Sequence, residues 1–276
     1  MQPPIAAPPE SIRSAFGATE KPMRFSGGLD GAWRCGDLVL KRSQSHLEGL
    51  ECEERVLASV RDRGFRLQRL RRTRDGSLLV DGWIARDFLE GSHEPERWRQ
   101  ILEVGDALHA AVAGIERVHC APMVVARTDS WAVADRIAWD EEPMPADPAY
   151  EAEPLPRLAA ARRPVASAPQ LVHGDLSGNV LFADGLAPAV IDFSPYFRPP
   201  QWATGVVVAD CVVWSGASLD LVESVAERPE IGQCLIRAIL FRHVTGLLLD
   251  RGAPSGQAAE RYAALVDAAL RLAKAP

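Results

Sequence analysis

The spacing of hydrophobic and polar positions divides the chain into a β-rich first third and a helical remainder. Residues 23–42 (MRFSGGLDGAWRCGDLVLKR) read as short strands broken by turns, with Gly27, Gly28 and Gly31 in the first turn and Gly36-Asp37 in the second. Leu38-Val39-Leu40-Lys41 is a β-type run whose period of two puts Val39 and Lys41 on one face. Residues 46–61 switch to helical spacing, with Leu50, Leu57 and Val60 as inward positions. Residues 64–73 alternate Arg with Phe65, Leu67 and Leu70, as in a half-solvated strand. Asp75-Gly76 then turns the chain into a second hairpin over Leu78–Phe88. The first 90 residues therefore predict β-β-β-α-β-β, an antiparallel sheet with one helix.

Glu90-Gly91-Ser92 reads as a joint, so the predicted division is 1–90 and 91–276. Beyond it, Arg97–Val112 predicts a helix with Trp98, Ile101, Leu102, Gly105 and Leu108 on one face. Residues 140–156 carry six carboxylates, five prolines and no basic residue, which predicts a long acidic loop or a set of short turns. Short β runs follow at 170–172, 180–182 and 189–191, then two or three helices near 206–226, 230–249 and 256–273. The proline-rich start, MQPPIAAPPESIRSAF, predicts an extended or mobile arm.

Composition narrows the classes. With 276 residues, 47% hydrophobic and 25% charged, the chain is that of a globular protein rather than a disordered or fibrous one. A net charge of -6 argues against a nucleic-acid partner. The seven arginines of 61–74 alternate with apolar residues and read as a solvated strand face instead. Gly205–Trp214, the longest near-apolar stretch, is about half a bilayer span and contains Asp210, so no membrane partner is expected. The five cysteines are scattered, without a C-x-x-C pair, and read as buried hydrophobes in a reducing compartment. With no basic-then-apolar signal at the N-terminus, a cytoplasmic location is expected. Only three of the 31 basic residues are lysines, and of these only Lys41 lies in an apolar run.

The chemistry concentrates in Leu171–Phe182 (LVHGDLSGNVLF) and Val190-Ile-Asp-Phe193. A turn between two strands directs Asp175 and Asn179 to one end of the pair, where Asp192, on the next strand end, can converge. Oxygen ligands from Asn179 and Asp192 suit a hard divalent cation. Asp175 remains free to accept a proton, the arrangement that phosphoryl transfer needs. His173 reads as a loop-bracing hydrogen-bonder more than a base. His109, His119 and His243 lie in apolar helical surroundings and read as core residues. The acidic run at 140–156 could attract a cationic acceptor, with a solvated loop as the default.

HGDLSGNVLF with VIDF resembles the catalytic and metal loops of the aminoglycoside phosphotransferase family, within the wider protein-kinase-like fold. The phrases GFRL, DGWIARDF and HGDLSGNVLF are similar to an actinobacterial branch of it. The resemblance spans roughly residues 23–215. It implies a bilobal α+β fold: an N-lobe antiparallel sheet with one helix for the nucleotide, and a larger, mainly helical C-lobe for catalysis and the acceptor. It implies an ATP-dependent kinase using Mg²⁺, with a small-molecule hydroxyl acceptor such as an aminoglycoside, sugar or amino alcohol.

Residue by residue, the resemblance gives Asp175 and His173 to the catalytic loop and Asn179 and Asp192 to the metal. Lys41 falls where the family's lysine meets the α/β-phosphates, with Glu53 as its ion-pair partner and Glu54 and Glu51 as open alternatives. Ser26–Gly31, including Gly27, Gly28 and Gly31, falls where the nucleotide loop crosses the phosphates. Arg86 to Leu89, including Phe88, occupies the hinge whose backbone would meet adenine. Leu108-His109 resembles the leucine-histidine helix ending, and Asp210 the aspartate that braces the catalytic loop. Three residues separate Asp175 from Asn179 where the family has four, and Gly178 is expected to ease the tighter turn. Asp192-Phe193-Ser194 stands for Asp-Phe-Gly. The shortened loop motivates a rival reading, a non-catalytic nucleotide-binding pseudokinase. A metallophosphoesterase, suggested by His-Gly-Asp alone, lacks the rest of its ligand run.

Overall fold

The structure is a computed structural model that describes residues 6–25, 31–61 and 64–274. It opens with a helix, α1 (Glu10–Ala15), then β1 (Met23–Arg24), β2 (Trp33–Cys35) and β3 (Leu38–Arg42), α2 (Leu47–Ser59), β4 (Arg66–Leu67), β5 (Leu70–Arg71), β6 (Trp83–Asp87) and β7 (Ser92–His93). Helices α3 (Trp98–Val112), α4 (Arg117–Val124), α5 (Ser130–Ala138), α6 (Pro148–Glu151) and α7 (Leu155–Ala160) follow. Next come β8 (Gln170–His173), β9 (Val180–Phe182), β10 (Ala189–Val190) and β11 (Pro195–Arg198). The chain closes with α8 (Pro200–Val213), α9 (Asp220–Glu223), α10 (Ile231–Leu248) and α11 (Gln257–Leu272).

The N-terminal sheet is five-stranded, in the order β1-β2-β3-β6-β5, and antiparallel throughout. Pleating sorts its central strands. Leu38, Leu40, Trp83 and Ala85 form a core with Ile12 and Phe16, so from Glu10 onward the segment read as an extended arm is instead helical: α1 caps this face. Two apolar residues four apart make too short a stripe to show as periodicity, and the sheet supplies the burial that nucleates the helix. Val39, Lys41, Ile84 and Arg86 point to the opposite face, where α2 packs Leu50 against Ile84.

The predicted strand at 64–73 splits into two. β5 joins the N-terminal sheet, whereas β4 pairs in parallel with β10 in a four-stranded sheet, β4-β10-β9-β7. Gln68 sits at the split, buried, with its amide donating to the Asp87 carbonyl at 2.8 Å and its Oε1 accepting from the Asp192 amide at 3.2 Å. The arginines of this segment bind locally: Arg66 to the Ala187 and Glu90 carbonyls, Arg69 to the end of α2, and Arg72 to Glu54. Of the second predicted hairpin only β6 is a full strand, entered through a tight Val80–Trp83 bridge with Asp81 and Gly82 at positive φ.

The remainder is mainly helical, around a core in which α8 and α10 pack side by side. α8 begins at Pro200, six residues before the expected start, because Pro199-Pro200 supplies the fixed φ of a first turn. Within 140–156 only the four-residue α6 and the start of α7 are helical, in keeping with short turns. α10 is long and apolar enough to cross a bilayer, the one such helix among the described residues, and 78% of it is buried inside the fold. All five cysteines are buried and free.

Candidate active site

The site forms where β8, β9 and β10 end against β3. Strand pairing sets Val180 opposite Val190, and the Ile191 amide donates to the Asn179 carbonyl at 3.0 Å, so Asn179 and Asp192 emerge together. The turn between β8 and β9 closes with the Asn179 amide on the Leu176 carbonyl at 2.9 Å, and the Asn179 side chain donates to the Asp175 carbonyl at 2.6 Å and to Oδ2 at 3.2 Å. The three-residue spacing thus brings the Asp175 carboxylate and the Asn179 amide into direct contact. Gly178 contributes nothing special: its φ is not left-handed, and an added Cβ would meet open space. Gly174 is the constrained glycine, since a Cβ there would lie 2.4 Å from the Tyr196 ring.

His173 is buried, and both ring nitrogens are committed. Nδ1 accepts the Asp175 amide at 3.1 Å, so Nε2 carries the proton and donates to the Ile191 carbonyl at 3.3 Å. Its backbone amide donates to Nε2 of the buried His109 at 3.1 Å. Burial first, then the field of His173, lowers His109 to about 3, and burial lowers His173 as well, so both rings are neutral. His173, which the resemblance assigns to the catalytic loop, is therefore committed at both ring nitrogens, with no lone pair left to accept a proton. His243 is likewise buried and bonded to Tyr262, but His119 is exposed.

Lys41 lies on the α2-facing side of β3, but its ion pair is with Asp192, at 2.5 Å, and not with Glu53. Glu53 from α2 is taken by Arg86, which binds its two oxygens at 2.5 and 3.1 Å. The reason lies in register: Arg86 stands opposite Val39, on the same face as Lys41 and closer to α2's carboxylate, and a guanidinium fork fits a carboxylate better than an ammonium does. The hinge assignment also moves. Arg86 has strands on both sides, β3 and β5, so its backbone faces neighbours rather than a ligand. The Phe88 amide donates to the Asp37 carbonyl at 2.8 Å, and its ring lies against Phe25 and under the Arg34 guanidinium. Gly31 is described, at φ 57, in the turn closed by Phe25 and Ala32. Gly27 and Gly28 lie outside the described residues.

Asp192 sits at φ 47, an unusual conformation for a side-chain-bearing residue, held by the Gln68 contact to its amide. Burial raises its carboxyl, but Lys41 and Arg86 more than offset this and leave it below the ordinary carboxylate range. Asn179 donates with its NH₂ and keeps Oδ1 without a donor among the described residues. An ionised carboxylate beside a free amide oxygen is the hard-oxygen pair that Mg²⁺ takes when phosphates and water complete its shell. Among the described residues no group of three His, Cys, Asp or Glu side chains could hold a metal by itself.

One residue of this site carried no motif. Arg242, from α10, donates Nη2 to Asp175 Oδ1 at 2.5 Å and to Asp210 Oδ2 at 2.5 Å, and Nε to Asp210 Oδ1 at 2.8 Å. Asp210 also accepts the Ser177 hydroxyl at 2.6 Å, so it braces the loop through both. Burial opposes the Arg242 charge, but the two carboxylates outweigh it and keep the guanidinium protonated; burial pushes Asp210 up in turn, against the pull of Arg242. An arginine inside the apolar run Ala238–Val244 was the only sequence signal for it.

Residues 24–196 match the model of the phosphotransferase enzyme family. The chain belongs to that family. No curated protein sequence matches the chain. Among solved structures, the chain is similar to an aminoglycoside phosphotransferase from Alicyclobacillus acidocaldarius, at 14% identity and a TM-score of 0.60, covering 99% of this chain and 96% of that one. A spectinomycin phosphotransferase in complex with ADP and spectinomycin aligns at 15% identity and a TM-score of 0.56, covering 96% of each chain. A choline/ethanolamine kinase family protein from Mesorhizobium loti aligns at 19% identity and a TM-score of 0.53, covering 94% of each. These likenesses establish the protein-kinase-like α+β fold of this phosphotransferase-family chain.

Proposed function

We propose that the chain transfers the γ-phosphoryl group of ATP to a hydroxyl of a small acceptor. The observation that carries the reading is the meeting of Lys41, Asp192, Asn179 and Asp175 at one end of β3, β8 and β9. Residues 1–90 would hold the nucleotide and 91–276 the catalytic loop and acceptor. Lys41 would turn from Asp192 to the α/β-phosphates, under the loop 26–31. Asn179 and Asp192 would hold Mg²⁺, which would neutralise phosphate charge. Asp175 would orient the acceptor hydroxyl and accept its proton at a carboxylate oxygen, while His173, Ser177 and Asp210 keep the loop in place. The reduced, buried cysteines support a cytoplasmic setting.

Labelled ATP with a panel of sugars, aminoglycosides and amino alcohols tests this. Asp175→Ala should lose transfer by roughly three orders of magnitude while still binding Mg-ATP. Turnover like that of the wild type in this variant would refute Asp175 as the base. The shortened loop favours one second reading, a nucleotide-binding pseudokinase. Thermal stabilisation by Mg-ATP without transfer to any acceptor would support it.

A further inference from the structure

The acidic run 140–156 is where a cationic acceptor would be expected to bind, but four of its six carboxylates already have arginine partners. Asp140 pairs with Arg162 at 2.8 Å, Glu141 with Arg198 at 2.5 Å, Glu142 with Arg136 at 2.5 Å and Glu153 with Arg157 at 3.5 Å. Asp147 is used as the N-cap of α6. Five of the six carboxylates thus serve the fold.

The charge facing Asp175 is of the opposite sign. Arg242 touches the base directly, and its Nη1 makes no hydrogen bond to any described residue. Its guanidinium carbon lies 5.4 Å from the centre of the Trp131 ring, and that of Arg251 lies 5.9 Å from the same ring. Arg251 is exposed and has no carboxylate partner among the described residues. Trp131 at the start of α5 is half-buried, which leaves part of its ring open. From Asp175, therefore, run a guanidinium with an unused N–H edge, the Trp131 ring it lies against, and a second, unpaired guanidinium against that same ring.

We infer that the acceptor is an anionic hydroxyl compound, a sugar acid or hydroxycarboxylate, whose carboxylate meets Arg251 and Nη1 of Arg242 while its hydroxyl meets Asp175. The inference rests on the phosphotransferase reading above. A carboxylate between two guanidinium groups makes charge-assisted hydrogen bonds, whereas an ammonium there meets like charge in a partly desolvated site. Neutral sugars fall between the two. Arg242 and Arg251 are thus specificity-determining residues.

Transfer from labelled Mg-ATP is measured on matched acceptors: gluconate and glycerate, glucose and glycerol, glucosamine and ethanolamine, and kanamycin. The expected order of kcat/KM is anionic, then neutral, then cationic, with about tenfold or more between the first and last classes. Arg251→Gln should reduce the anionic-to-neutral ratio about tenfold, through KM rather than kcat. Arg242→Gln should reduce the anionic-to-cationic ratio, and Arg242→Lys should restore part of it. A cationic compound as the best acceptor, or ratios unchanged in both glutamine variants, overturns the inference. So does an enzyme that binds Mg-ATP yet phosphorylates none of the anionic compounds. Failure to bind Mg-ATP at all overturns the phosphotransferase reading instead.

Discussion

Arg86 holds both oxygens of Glu53, at 2.5 and 3.1 Å, and thereby leaves Lys41 to Asp192. The helix α2 and the strand leading out of the N-terminal sheet are joined by a pair whose side chains are only 6% and 7% exposed. Asp192 adds to the field that keeps Arg86 charged, so the two ion pairs on this side of the sheet are electrostatically linked.

Removing one member of that pair strands a buried charge. Arg86→Leu is expected to destabilise the fold by about 3–5 kcal/mol, read as a lower urea midpoint at unchanged slope. Replacing both residues, Glu53→Leu with Arg86→Leu, is expected to recover most of the loss. A double variant no more stable than the single one would show that the pair, and not the orphaned charge, matters.

Lys41 presents a compact ammonium from β3 to Asp192, with a side chain 13% exposed. Lys41→Met is expected to weaken Mg-ATP binding about tenfold or more by calorimetric titration, and Lys41→Arg to bind but turn over poorly, because a guanidinium fork is broader than an ammonium. Wild-type affinity and turnover in Lys41→Arg would remove this lysine from the phosphate site.

His109 makes stability fall with acid. Its pKa is about 3 in the folded chain against an ordinary 6.5, so between these values the unfolded state binds the proton and the folded state does not. Stability is therefore complete above about pH 6.5 and declines by about 1.4 kcal/mol per pH unit from this group as pH falls towards 3. His109→Gln keeps an acceptor for the His173 amide without a titrating ring. Urea midpoints from pH 7 to 4 should show a flatter slope in this variant; an unchanged slope would place the loss elsewhere.

Gly174 lies under an aromatic cluster in which Tyr196 meets the Trp202 and Phe241 rings at 5.1 and 5.6 Å. A methyl group 2.4 Å from the Tyr196 ring must displace that cluster or the turn between β8 and β9. Gly174→Ala is expected to cost about 1–3 kcal/mol and to lower turnover, whereas Gly178→Ala, facing open space, should change stability by less than about 0.5 kcal/mol. Equal effects at the two glycines would contradict this packing.

The sequence by itself determined the β-rich first third and the helical remainder, the helices α2, α3, α10 and α11, and the close grouping of Asp175, Asn179 and Asp192. These follow from local rules: a period of 2 or 3.6, and polar residues at the ends of apolar strands, joined by turns too short to separate them. Tertiary structure alone decided who pairs with whom. Glu53 had two positive partners within reach, and the choice of Arg86 over Lys41 depends on cross-strand register and on the distance from α2. The single strand read at 64–73 became two because β10, more than a hundred residues later, captured its first half. Arg242 reached Asp175 from 67 positions away in a helix whose pattern announces only a core, since a buried guanidinium is tolerable there only once Asp210 and Asp175 are folded against it.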